Sequence, residues 1–538
     1  MTLDSAWQKL EKFFGNLKFA VFIISLFTLF MIIGTFLESY YGTDYANRMI
    51  YKTIPFMGIQ FFMFMSIIMA LFLRLPFKKA FYGFYTIHLG LILMACGSFI
   101  TWYAGIDGHI TLDPQTPTRK VELNEDQLKV ILPQKGKMAV LDLPYTPFKK
   151  ILNETYEDIK FKTFYPYSEN RLEWMEEKNS YPLGIQFPST QYLLYNDNMD
   201  QEFVLSLHPE APNFQSSMTM GLLNLHYLPE KLSDCFGKTN PSKLIFWNSI
   251  TRECYTPEEK NIPLNKTAEG KTFLVVQEQG TVYSFFPDLS PWPVGKEKEV
   301  LSNAPLRIFN KSLFEKKPHL FLFGTKAAFS VEGEWEVLPI EKNKSIELPW
   351  MGFELKILHH TTTKVPAHIP YYTKPIQKNS KVIKGDQKAI LAEVQGHDYW
   401  VTNKRPLNLL IDGENVKIHL VKKTLTLPFE FSLSRFKMDT NPGTNDPASY
   451  ESFVRLFNDK GTENHHIFMN NPLKYDGFTF YQASYFKIGD RHGSVLSANI
   501  DPGRPFKYLG SILLVLGSLW HYYLRRKKST LRPAWNLS

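Results

Sequence analysis

One stretch limits what this chain can fold into: Ala80 to Trp102, FYGFYTIHLGLILMACGSFI with its flanks. It has the length a helix needs to cross about 30 Å of hydrocarbon. It holds no carboxylate, Lys or Arg, and one titratable imidazole, His88, preceded by aromatic residues. An ionisable side chain at membrane depth is a functional-site hypothesis by default, and neutral imidazole is a ligand for haem iron. The plainer reading is a structural one, in which His88 hydrogen-bonds a backbone carbonyl or a neighbouring tyrosine. Gly83, Gly90 and Gly97 recur every seventh residue and form a small-residue stripe that lets another helix approach closely. At about 100° per residue, His88 lies roughly 140–200° around the helix from them. One face is thus free to pack against this protein's own helices while His88 looks elsewhere.

A chain of 538 residues has room for a membrane part and one large or two medium soluble domains. Hydropathy predicts four spans, Phe19–Leu37, Met57–Leu73, Phe81–Trp102 and Tyr508–Leu524. The expected organisation is an interfacial amphipathic helix in residues 1–18 and three transmembrane helices in 19–106. A large β-rich domain follows in 107–504, then a fourth transmembrane helix in 505–524 and a basic tail in 525–538. No cleavable leader is expected, because no small-residue cleavage pattern follows the first apolar run.

Charge placement orients these spans. Lys9, Lys12 and Lys18, then Arg74, Lys78 and Lys79, then Arg525, Arg526, Lys527, Lys528 and Arg532 fall on one side if the spans alternate. The positive-inside rule makes that side cytoplasmic, so both termini are expected inside and the large domain outside. With Asp4 and Glu11, these segments carry a net charge of +9, which equals the net charge of the whole chain. Everything else balances at 50 basic and 50 acidic residues, so the basic excess reflects topology and gives no footprint for nucleic acid.

Three cysteines occur: Cys96 in the third span, and Cys235 and Cys254 in the outer domain. The absence of CxxC and CxxCH excludes a thiol oxidoreductase and a c-type cytochrome. Cys235 and Cys254 stand either as a disulfide or as two unpaired thiols.

From Gly108 to Gly503 the pattern is strand-rich. TFLVVQEQGTVYSFF (272–286), LNLLIDGENVKIHL (407–420) and SFVRLFNDKGTENHHIFM (452–469) each read as a hairpin. The proline-containing loops SPWPVG and KVPAHIPYYTKP argue against long helices. The expected fold is an antiparallel, sandwich-like assembly, in two lobes with a break within 290–345. The doublets His359-His360 and His465-His466 point to opposite faces of a strand, which makes them poor bidentate ligands. No G-x-S-x-G, HExxH, Walker loop or paired-carboxylate signature supports hydrolase chemistry. The tyrosines of the Glu38–Pro55 loop suit an interfacial aromatic belt, and the Phe- and Met-rich second span suits packing.

Three blocks together resemble the ResB (CcsB) family of the System II pathway of cytochrome c biogenesis. They are FAVFIISLFTLFMIIGTFLESYYGTDYANRMIYKTIPF, FYTIHLGLILMACGSFITWYAGIDGHITL, and a third from about Leu427 to Tyr523. The third contains MNNPLKYDGFTFYQASYF and DPGRPFKYLGSILLVLGSLW. The resemblance implies a haem-handling subunit of the cytochrome c synthase. Such a subunit carries haem b as transported substrate and works with a CcsA (ResC)-like membrane protein. Together they deliver haem to the CxxCH of an apocytochrome c at the outer face of a bacterial cytoplasmic membrane. It also implies His88 as an axial ligand of the haem iron, and a thioredoxin-like thiol reductant among the partners. CcsA proteins carry a tryptophan-rich haem-binding segment, whereas the ten tryptophans here are scattered, so no catalytic residue is assigned to this chain. Asn470–Leu473 and Tyr481–Tyr485 read as turn and strand residues or as part of a docking surface. Two other classes stay open: a membrane-anchored docking scaffold with a structural His88, and a transporter subunit whose coupling step responds to pH.

Overall fold

The computed structural model describes residues 3–177, 179, 181, 185–278, 281–286, 306–378, 381–411, 413–443, 447–489 and 491–530. The expected loop SPWPVG lies outside them. The chain forms two compact units, one from residues 1–169 with 370–538 and the other from residues 170–369.

In the first unit, the amphipathic helix Leu3–Phe14 is followed by Leu17–Tyr41, whose start is capped by Asn16 Oδ1 accepting from Lys18 N at 2.9 Å. This helix ends at Gly42, whose φ of +88° suits glycine and whose N–H returns to the Glu38 carbonyl. Ile54–Phe72 and Tyr82–Ala104 follow. Among the described residues, three helices are long and apolar enough to cross a membrane: Leu17–Tyr41, Ile54–Phe72 and Lys79–Ala104. The expected fourth span is a single helix, Arg504–Thr530, which does not reach that apolarity. Its last third, with Trp520, His521, Tyr522, Tyr523 and the Arg525–Lys528 run, dilutes the Leu-rich centre.

The strand Ile106–Leu112, which leaves the His88 helix, pairs antiparallel with Arg491–Ile500, which feeds the C-terminal helix. These two are the middle of a ten-stranded antiparallel sheet. It runs from Gly461–Ile467 through Pro447–Asn458, Glu414–Thr440 and Thr118–Leu132 to this pair, then to Phe478–Ile488 and Leu473–Tyr475. The hairpins expected at 407–420 and 452–469 are present, with Ile411 opposite Glu414 and Asn458 opposite Gly461. Alternation along Glu414–Thr440 fills two cores. Val416, Ile418 and Leu420 pack with Leu128, Phe161 and Ile390, whereas Phe429 and Phe431 pack with Val121, Phe480 and Leu496.

The second unit is also sheet-built, and Thr272–Glu278 pairs with Thr281–Phe285 as the expected hairpin. One pair departs from the antiparallel expectation: Leu223–Tyr227 runs parallel to His319–Leu322. Cys235 and Cys254 are joined as a disulfide. The expected break in 290–345 is not where the units divide; the chain passes between them at 169/170 and 369/370. Proline content marks loops, but these passages lie inside two regular strands, Ile159–Glu176 and Lys364–Tyr372. The second of these is a strand where the prolines of KVPAHIPYYTKP predict a loop.

Candidate functional site

The site begins with the contact between two helices. A Cβ built on Gly90 would stand 2.7 Å from the Gly510 carbonyl oxygen, and one built on Gly510 would stand 2.5 Å from that of Gly90. Gly97 meets Gly503 in the same way, Gly83 meets the backbone of His521, and Gly517 meets Ile87. The stripe Gly83/Gly90/Gly97 therefore faces a second heptad stripe, Gly503/Gly510/Gly517, in antiparallel register. Backbone-to-backbone approach of this kind is how helices associate where the hydrophobic effect gives no preference for protein over lipid.

The packing leaves His88, on the second turn of its helix, half-buried on another face. Its Nδ1 lies 2.9 Å from the Phe84 carbonyl oxygen. A carbonyl only accepts, so Nδ1 carries the proton, and in the neutral ring Nε2 keeps its lone pair. No hydrogen bond to Nε2 occurs among the described residues. The Phe84 ring lies 3.7 Å from the imidazole, and the Arg74 guanidinium sits 4.3 Å from the Phe84 ring centre. The backbone bond of a structural histidine is thus present, and it also orients the ring and fixes the tautomer that a metal ligand requires. Among the described residues there is no cluster of three His, Cys, Asp or Glu suited to a metal ion.

The far end of this helix is tied down by Asp501 of the Asp-Pro-Gly motif. Thr101 Oγ1 donates to Asp501 Oδ1 at 2.5 Å, Lys507 Nζ donates to Oδ2 at 2.7 Å, and Gly503 admits the Gly97 carbonyl. A cleft of about 800 Å³ opens beside this junction, lined by Lys52, Trp102, Tyr103, Tyr145, Asp501 and Arg504 among others.

A buried ion network, which pattern reading missed, joins the loop after Leu17–Tyr41 to the sheet. Arg48, 3% exposed, donates to Asp44 at 3.0 Å and to Asp126 at 2.8 Å. Lys388 Nζ lies 2.6 Å from the same Asp126 oxygen, and Lys422 Nζ lies 3.6 Å from the other. Burial alone would raise the Asp126 carboxyl, but Lys388, Arg48 and Lys422 outweigh it and hold the group below its ordinary range. Tyr167 donates to Asp44 at 2.7 Å, and its ring packs 5.5 Å from that of Tyr45. Tyr45 is therefore a core residue, 2% exposed, and not part of an interfacial belt. Tyr51 likewise fills the space above Gly34, which accounts for glycine in the Gly-Thr ending of the first span.

The remaining sequence candidates each have local partners. His465 and His466 pair with Glu463 and Glu451 respectively, and His466 stacks on Phe453 at 4.2 Å. His360 bonds Thr190 at 2.7 Å, while His359 packs on Trp174. Asn470 adopts a turn with φ of +61°. Tyr481–Tyr485 lies on Phe478–Ile488, with a bulge between Gln482 and Ser484. Gln482 accepts from Ser452 at 2.7 Å.

Apolar helices of spanning length joined to a large antiparallel sheet define a membrane protein with a large soluble domain. Residues 408–493, which form much of that sheet, match the family model described as the ResB-like family. The chain is also similar to Protein NrfI of Wolinella succinogenes, at 39% identity over 115 residues. That alignment covers 21% of this chain and 12% of the relative. His88 lies outside residues 408–493.

Proposed function

We propose that this chain is the ResB-like membrane subunit of a cytochrome c synthase. In this reading it carries haem b as substrate within a bacterial cytoplasmic membrane, with His88 as one axial ligand. A CcsA-like partner then joins the haem to the CxxCH thiols of an apocytochrome c at the outer face. A thioredoxin-like reductant keeps those thiols reduced. Arg504–Thr530 serves as the fourth span, held against the His88 helix by the paired glycine stripes. Both termini are then cytoplasmic.

The observation that carries the reading is the tautomer of His88. Its Nδ1–Phe84 bond leaves Nε2 the free base of the ring, which is the donor that haem iron takes. The match of residues 408–493 to the ResB-like family model supports a role in cytochrome c biogenesis. The cleft at the end of the same helix suits the role as well. Its aromatic walls, Trp102, Tyr103 and Tyr145, match a flat macrocycle.

The test is an absorption spectrum of the full chain co-purified with its CcsA-like partner, comparing wild type with His88→Gly, with and without imidazole. A Soret band that weakens in the variant and recovers with imidazole is the expected result. Haem that is indifferent to His88, or absent from a folded wild-type complex, makes this chain a docking scaffold. A function lost without imidazole rescue and shifted by pH favours the transporter reading.

A further inference from the structure

We infer that the unit formed by residues 170–369 carries a receptor pocket for an acidic peptide segment, floored by Trp247 and rimmed by Lys231, Arg252 and Arg307. The strand Leu244–Asn248 is the middle of three, and Trp247 stands directly opposite Cys254 on one neighbour and Arg307 on the other. The Cys235–Cys254 disulfide ties the first of these neighbours to the short helix Ser233–Phe236, just after Glu230 and Lys231. Both residues are thereby anchored beside the tryptophan.

Between these elements is a cavity of about 340 Å³, room for a few side chains. Phe187, Pro188, Leu207 and Pro229 extend its apolar wall. Three cations lie around it against one carboxylate, Glu230. None of the three makes a salt bridge among the described residues. The Arg252 guanidinium lies 5.7 Å from the Phe187 ring centre, with Nη1 3.5 Å from the Gln186 carbonyl oxygen. Three cations against one carboxylate leave an excess of positive charge, and an anionic ligand relieves that repulsion. Arginine and lysine beside aromatic rings are a common arrangement for binding carboxylates.

A second feature separates a peptide from a simple acid. Glu230 Oε1 is enclosed beside Gly324 and 3.3 Å from His360 Nε2, while the side chain as a whole is 44% exposed and lines the cavity. The exposed part of this carboxylate is an acceptor for an N–H brought by a ligand. An acidic peptide brings N–H groups, carboxylates and an apolar side chain together, whereas a small carboxylic acid lacks the first. The inference is independent of the haem reading, because this unit lies outside residues 408–493.

The test uses the full chain in detergent micelles and fluorescence anisotropy of a dansyl-Gly-Asp-Phe-Glu peptide, with dansyl-Gly-Asn-Phe-Gln as control and 3-phenylpropionate as competitor. The acidic peptide should bind at least tenfold more tightly than its amide control, and more weakly as salt rises. Lys231→Gln and Arg307→Gln, both of exposed side chains, should each weaken it about tenfold, with Arg307→Lys restoring most of the loss. Reactivity of Cys96 alone toward a thiol reagent confirms that each variant keeps its disulfide. Equal binding of the two peptides, or binding unchanged in both Gln variants, overturns the pocket. Displacement by 3-phenylpropionate at the peptide's own affinity overturns the peptide as its ligand.

Discussion

The charged groups that most affect stability are buried, and they act through desolvation. Asp126 pairs with three cations in the first unit, Arg48, Lys388 and Lys422, and Asp44 shares Arg48 with it. Asp126→Asn keeps the shape but leaves Arg48 and Lys388 buried with too little counter-charge, a change that typically costs about 3–5 kcal/mol. Hydrogen exchange in the strand Thr118–Leu132 should report this loss, and a cost below about 1 kcal/mol would mean that water reaches the network. In the second unit, His226 Nε2 and His319 Nδ1 are 2.9 Å apart. Burial, with His319 adding to it, pushes His226 down to about 4. Between the ordinary value near 6.5 and that value, the unfolded chain binds a proton that the folded chain does not. Stability of this unit should therefore fall as pH drops from about 6.5 towards 4. The double variant His226→Gln/His319→Gln should flatten that dependence in urea titrations at pH 7.5 and 5.

The helix pair depends on what its glycines lack. At Gly90 and Gly510 each backbone occupies the space a side chain would fill on the other, so Gly90→Leu must push the C-terminal helix away. Ser511 Oγ lies 3.8 Å from Met94 Sδ, close enough for a cysteine pair at 94 and 511 to report the spacing. Oxidative cross-linking of that pair should be efficient in the wild-type background and several-fold weaker with Gly90→Leu. Equal cross-linking in both would show that the helices tolerate separation. The same packing accounts for the Asp-Pro-Gly motif. Asp501 holds Thr101 and Lys507, and Gly503 lets the two helices meet at the point where both enter the sheet.

Across the whole chain, the helices and the ten-stranded sheet form one unit from both ends of the sequence, and residues 170–369 form a second unit inserted within it. The disulfide belongs wholly to the insertion. It closes a loop of sequence separation 19, and removing such a link costs roughly 3 kcal/mol in the chain-entropy account. Cys235→Ser/Cys254→Ser should lower hydrogen-exchange protection within 170–369 and leave Thr118–Leu132 unchanged. Loss of protection in both regions would show that the two units unfold together.

Local pattern was enough for several features. Unbroken apolar length gave the three N-terminal helices, period-two alternation with Asp-Gly or Asp-Lys turns gave the hairpins at 407–420 and 452–469, and heptad glycines gave a face for close helix packing. These are properties of neighbours in sequence, so a short window contains them. Pairing across long separations is different. That Gly90 and Gly97 meet Gly510 and Gly503, and Gly83 the backbone of His521, depends on two helices some 400 residues apart in sequence being joined by the strand pair Ile106–Leu112 and Arg491–Ile500. Asp44, Arg48, Asp126, Lys388 and Lys422 look like ordinary surface charges in sequence, because burial is a property of the assembled core. Tyr45 looks like a belt residue in sequence and is a core residue for the same reason. The sequence alone singled out His88 as a candidate ligand. The i−4 carbonyl of its own helix fixes which of its nitrogens is free, whereas only the tertiary structure decided which helix covers the glycine face and leaves His88 half-buried on another, because that partner comes from the far end of the chain.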